Sequence, residues 1–179
     1  MLFRSILWQH RVGTGGTLGG VQWGSSTDGT NVYVALSDIV RVPIANSLGA
    51  NADPKTGGGL FAFNLQTGQR VWYTPPAACG TRPRCSPAQS AAVSSMPGVV
   101  FSGSVDGHLR GYSTADGKVL FDFDAMSQFK TVNEVPARGG SFDGPGPAIA
   151  GGMMFVSSGY ARAGGIPGNV LLAFSVDGK

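Results

Sequence analysis

Leu60–Trp72 reads LFAFNLQTGQRVW, and the pattern returns at Leu109–Phe121 as LRGYSTADGKVLF and at Leu171–Lys179 as LLAFSVDGK. Each copy sets an alternating apolar run before a polar turn ending in glycine: Gln66-Thr67-Gly68, Ala115-Asp116-Gly117 and Asp177-Gly178. Such turns between alternating runs signal hairpins, because glycine enters positive φ at no steric cost. In the first two copies a second strand follows and closes on an aromatic residue, Trp72 or Phe121. Two further strands are expected upstream of each hairpin. Gly20–Gly24, Ala88–Val93 and Pro145–Ile149 read as the inner ones, and Asn31–Leu36, Gly98–Gly103 and Gly152–Ser157 as their neighbours. Ser5–His10 (SILWQH) reads as the outer strand of a preceding unit. Four short strands over roughly 50 residues is the spacing of β-propeller blades.

A single blade cannot bury both its faces, so blades must stack and the ring must close. The expected fold is therefore all-β: a partial β-propeller of about three four-stranded blades. A blade tail is expected over 1–14, with blades over about 15–78, 86–126 and 138–179. Such a set cannot close a ring, and the last unit stops after its Asp-Gly turn with no outer strand. The chain is thus expected to be the C-terminal part of a longer propeller. A small open sandwich is the competing architecture, but sandwiches seldom repeat so regularly.

Composition agrees. Only 13% of the 179 residues are charged, against about 25% in an average domain. The 29 glycines and 11 prolines suit tight loops, and no long run shows the 3.6-residue period of a helix. The net charge is +3, but Arg4, Arg11, Arg41, Arg70, Arg110, Arg138 and Arg162 are scattered, not gathered into the stripe of a nucleic-acid binder. No stretch of about 20 apolar residues offers a membrane span. Met1–Leu7 is too short for a signal peptide.

The repeat resembles the tryptophan-docking repeat of pyrroloquinoline quinone (PQQ) propellers, approximately A-x-D-x-x-T-G-x-x-x-W. Ala62, Thr67, Gly68 and Trp72 match it, and Gly111, Asp116, Gly117 and Phe121 stand at those places in the next copy. The wider resemblance is to PQQ-dependent polyvinyl alcohol dehydrogenases. It is carried by Gly19–Gly24 (GGVQWG), Cys79–Ala92 (CGTRPRCSPAQSAA), Gly98–Arg110 (GVVFSGSVDGHLR), Gly139–Pro147 (GGSFDGPGP) and Gly168–Lys179 (GNVLLAFSVDGK). It implies a quinoprotein-type, eight-bladed propeller. It also implies oxidation of alcohol groups, including those of a polymer, with PQQ and calcium as cofactors, cytochrome c as electron acceptor and a periplasmic or secreted location.

The resemblance also nominates residues. Quinoprotein alcohol dehydrogenases carry Gly-Gly-x-Asn-Trp on an inner strand facing the cofactor, and Gly19-Gly20-Val21-Gln22-Trp23 is similar, with Gln for Asn. Both amides can donate to a quinone oxygen and accept from a hydroxyl. Gln89, in Ala88-Gln89-Ser90-Ala91, keeps the amide of a Trp-Asn-Gly-Gly segment whose Trp is gone. Gly168 and Asn169 match a loop near the cofactor, or form an ordinary turn. The family's catalytic aspartate and calcium ligands are expected in blades outside this chain. Asp38 and Asp143 can reach a central site, whereas Asp28, Asp106, Asp116 and Asp177 read as turn acceptors, and His10 and His108 stand alone in the sequence. Cys79 and Cys85 bracket Gly-Thr-Arg-Pro-Arg and can close a small disulfide, with no second pair for zinc. Arg82 and Arg84 either help dock an electron acceptor or solvate that loop. The alternative function is a non-catalytic scaffold propeller that presents loops to a protein partner.

Overall fold

The computed structural model describes residues 5–161 and 164–178. All of its regular elements are strands. The first sheet contains β1 (Ser26–Thr27), β2 (Asn31–Ala35), β5 (Leu60–Asn64) and β6 (Arg70–Thr74), in that spatial order; a small hairpin of β3 (Arg41–Pro43) and β4 (Ala50–Ala52) rises between β2 and β5. The second sheet runs β7 (Ser94–Met96), β8 (Val99–Gly103), β9 (His108–Ser113) and β10 (Val119–Asp124). After the short pair β11 (Gln128–Phe129) and β12 (Ala137–Arg138), a third sheet holds β13 (Ala148–Ala150), β14 (Met153–Ser158) and β15 (Val170–Ser175). Every pairing is antiparallel, and within each sheet the strands lie side by side in chain order, with the β3–β4 hairpin inserted between β2 and β5. These are consecutive blades of a partial propeller.

The inner strands lie a few residues later than the sequence pattern predicts for two of the blades, at 26–27 and 94–96. The reason is where the backbone bonds go. Gln89 N–H donates to Leu36 O, Ala92 N–H to Gly144 O and Val93 N–H to Gly24 O. The segment before β7 therefore stitches the first and third blades to the second. Ser5–His10 has no sheet partner among the described residues, yet Trp8 in it docks on the first blade, its Nε1–H donating to Leu65 O at 3.0 Å.

The core lies between sheets. Tyr33, Ala35, Leu60, Ala62, Trp72, Val93, Val100 and Tyr112 fill the first seam. Leu109, Phe142, Met154, Val156, Val170 and Leu172 belong to the second. The docking repeat explains the first seam. Trp72 Nε1–H donates to Thr114 O at 3.0 Å, as Trp8 does one blade earlier. Each indole lies on a turn glycine: a Cβ would stand 2.5 Å from Trp8 at Gly68 and 2.7 Å from Trp72 at Gly117. Both glycines are also at positive φ, +69° and +72°. No other residue meets both requirements.

Candidate functional site

Where the chain enters the first blade, Leu18, Val21, Gln22 and Trp23 meet Asp143 from the start of the third blade and line an open cleft of about 380 Å³. Trp23 is 59% exposed although it is the largest side chain there. Its backbone sits at φ +57°, a left-handed conformation that a bulky residue rarely adopts. Strain of this kind costs on the order of 1–3 kcal/mol and persists only where the surroundings impose it. Here the anchor is Asp143, a buried carboxylate that accepts the indole Nε1–H at 3.0 Å across 120 residues of sequence. The Gln22 Nε2 donates to Leu18 O at 2.9 Å, which turns the segment back on itself. The cleft thus offers an exposed indole held by a buried acid, beside an amide.

The other nominated residues lie elsewhere. Gln89 is buried between blades with its amide engaged: Oε1 accepts from Gly59 N–H at 2.6 Å, and Nε2 donates to Ser102 Oγ and Tyr112 Oη at 3.0 and 3.1 Å. Asn169 Oδ1 accepts from Arg138 N–H, and Asn169 N–H donates to Arg138 O, so Gly168 and Asn169 close the third blade against β12. They border a different depression, shared with Gln128, Phe129 and Arg138. Asp38 is buried at φ +44° and caps a glycine loop, accepting from Thr14 N–H and Oγ1 and from Gly15 N–H. Of the nominated residues, Gln22, Trp23 and Asp143 share one cleft, and Gly168 and Asn169 border another.

Cys79 and Cys85 are joined in a disulfide. It fixes a loop whose arginines reach inward: Arg82 donates to Asp106 O and pairs with Asp124 at 2.7 Å, and Arg84 donates to Gly165 O. His108, isolated in sequence, lies 2.6 Å from Asp122 and 3.6 Å from Asp124. Asp106 accepts the turn N–H of His108, as expected, and also pairs with the buried Arg110 at 2.9 Å. Burial would weaken the Arg110 charge, but Asp106 and Asp122 outweigh it and hold its pKa above the ordinary value. These charges tie the loop to the second blade. Among the described residues no group of three or more His, Cys, Asp and Glu side chains is arranged to hold a metal ion.

A family profile of PQQ repeats, described as outer membrane protein assembly factor BamB, matches residues 56–179. The chain belongs to this PQQ-repeat propeller family. It is similar to the polyvinylalcohol dehydrogenase of a Pseudomonas species, 46% identical over 97% of this chain, and to that of Sphingopyxis strain 113P3, 37% identical over 97%. The chain spans 27% of the length of each. Among solved structures, the quinohemoprotein alcohol dehydrogenase ADHIIG of Pseudomonas putida HK5 aligns with 90% of this chain and 27% of its own, at a TM-score of 0.52 and 18% identity. That likeness is one of fold.

As a PQQ-repeat propeller, the chain can be tested against the cofactor. A fused planar quinone with several carboxylates needs a flat apolar surface, hydrogen-bond donors and cations. The cleft supplies the indole face of Trp23 and the amide of Gln22, and its five lining residues include no cation. These groups suit one face of such a ring, whereas the Asp143 carboxylate offers nothing to the cofactor's own carboxylates, which would need groups outside the cleft.

Proposed function

We propose that this chain is the C-terminal portion of a PQQ-dependent alcohol dehydrogenase propeller that oxidises hydroxyl groups of polyvinyl alcohol. The cleft at Gln22, Trp23 and Asp143 is its share of the cofactor wall. The observation that supports this reading most is the Trp23–Asp143 bond, because a solvent-facing, strained indole clamped by a buried acid contributes nothing to the core. When bound, the quinone would accept the hydride equivalent. The chain's residues would do the positioning: Asp143 fixes the plane of Trp23, Trp23 shields one ring face from water, and Gln22 donates to an oxygen at its edge. Calcium, the catalytic base and the docking site for cytochrome c would belong to the part of the relatives this chain does not span. The disulfide is in keeping with a periplasmic or secreted setting.

Two measurements test this. The 179-residue chain alone is expected neither to bind PQQ tightly nor to turn over alcohol; stoichiometric binding in a PQQ and calcium titration would overturn that. In a propeller extended to the length of the relatives, dye-coupled oxidation of polyvinyl alcohol is expected. Trp23→Ala should lower it by at least about tenfold, the effect of losing a little over 1 kcal/mol of orientation. Asp143→Asn, which keeps an acceptor, should retain more activity than Asp143→Ala. Full activity in Trp23→Ala would remove the cleft from the reading. Absence of any PQQ-dependent turnover would favour the scaffold, the role that the family's description as an assembly factor supports.

A further inference from the structure

The two seams of the molecule are built on one plan and finished differently. In the first, Tyr33 and Trp72 both pair with Ala62 across the sheet; in the second, Phe101 and Phe121 both pair with Gly111, the residue at the same place in the repeat. Tyr112 and Phe174 each stand one residue before the end of their strands, β9 and β15. The trio Tyr33, Trp72 and Tyr112 is thus replaced by Phe101, Phe121 and Phe174. Every polar handle of the first trio is used: Tyr33 Oη donates to Asp28, Trp72 Nε1 to Thr114 O, and Tyr112 Oη accepts from Gln89. The phenylalanines have none to use.

The turn that receives the docking ring has changed as well. Gly68 and Gly117 donate to carbonyls four residues back, whereas Gly178 donates to Ser175 O, three back. The third turn is one residue shorter. A Cβ on Gly178 would meet nothing within 4 Å, while those on Gly68 and Gly117 would strike tryptophan rings. Trp72 is 9% exposed and Tyr33 and Tyr112 less, but Phe101, Phe121 and Phe174 are only partly buried. Above them lies a cleft of about 380 Å³, within the ~300–1,000 Å³ range of small-molecule pockets. Its floor is the three rings, Met96, Met153 and Met154 are in its lining, and no charged side chain lines it. Phenylalanine faces and thioethers are the groups that favour an aromatic guest.

We propose that this cleft, between the second and third blades, is a binding site for an uncharged aromatic molecule of one or two fused rings. The occupant is indicated by the repeat itself: at both preceding turns that volume is filled by an indole, and here the indole is absent. An apolar space of this size holds a ring in preference to water. The site shares no residue with the Trp23 cleft and is independent of the proposed oxidation.

Indole is the probe, titrated into the 179-residue chain by calorimetry and followed by saturation-transfer NMR. Saturable one-to-one binding is expected, with saturation passing from the methionine methyls. Phe121→Trp should fill the space and weaken binding by at least about tenfold, while raising Tm. Met153→Glu, at the exposed rim, should weaken it as much without affecting the core, and keeps the test valid if the tryptophan variant misfolds. No saturable binding to the native chain, or unchanged affinity in the folded variants, would overturn the proposal.

Discussion

At the scale of single residues, the same side-chain type serves opposite ends. Gln22 and Gln89 are both amides on the approach to a blade, and sequence alone treats them alike. Gln89 is sealed between Gly59, Ser102 and Tyr112, so truncating it strands a buried N–H and two hydroxyls. Gln89→Ala is expected to cost about 2–4 kcal/mol in a urea melt, whereas Gln22→Ala should cost under about 1 kcal/mol. Tyr112 shares that network and, like Tyr33, has its phenol pushed up to about 12, chiefly by burial. A raised phenol pKa stabilises the fold below the ordinary value of 10, and the contribution is lost as pH climbs from 10 to 12. Asp28 and Asp124 work in the other direction. Burial raises them, but the Asn31 and Met126 backbone N–H groups, with Tyr33 Oη and Arg82 respectively, outweigh it and hold both below 3.8. Their contribution is present above that value and fades as pH falls through their lowered values. Denaturation midpoints should therefore be flat across neutral pH and fall at both extremes. Tyr112→Phe should flatten part of the alkaline fall.

At the scale of elements, stability is concentrated where one blade's aromatic meets the next blade's turn. Trp72 is buried, stacks on Tyr33 at 5.8 Å and bonds Thr114 O. Trp72→Ala should cost about 3–5 kcal/mol. Phe121→Ala should cost distinctly less, because its ring is already half open to a cleft. Parallel thermal melts would compare the two, and an equal loss would show that the second seam is as closed as the first. The sequence displays this plan because a docking ring, a turn glycine and an alternating strand recur at fixed spacing. It does not display where the inner strands begin. Ala88–Val93 has the apolar content of a strand, but its Gln89, Ala92 and Val93 N–H groups bond to neighbouring blades, a choice made by packing that no local pattern encodes. The candidate site was half legible for the same reason. Gln22 and Trp23 are contiguous, and Asp143 reads as able to reach a central site, but the bond that joins it to Trp23 spans 120 residues and has no local signal, and His108 finds its carboxylates only across a β-hairpin.

At the scale of the whole molecule, the described residues form a succession of sheets that does not close on itself, and its behaviour in solution follows from its edges. Among the described residues β15 has β14 on one side and no strand on the other. Leu171 stands 67% exposed on that strand and Val176 87% exposed just beyond it. A sheet edge with no strand beside it, carrying exposed aliphatics, invites a strand from a second molecule, and natural edges are commonly protected by charge. This edge has none along Val170–Ser175. The purified chain should therefore associate with rising concentration, and light scattering coupled to size exclusion would show it. Leu171→Lys adds a charge on the exposed face, while Val170 and Leu172 keep their buried contacts. It should shift the population toward monomer and leave Tm within a degree or two, since exposed substitutions rarely change stability by more than about 0.5 kcal/mol. Leu172→Lys, one residue on, points into the second seam and should unfold the third blade. Monomer at every concentration in the native chain would show that the β15 edge is protected by something other than charge.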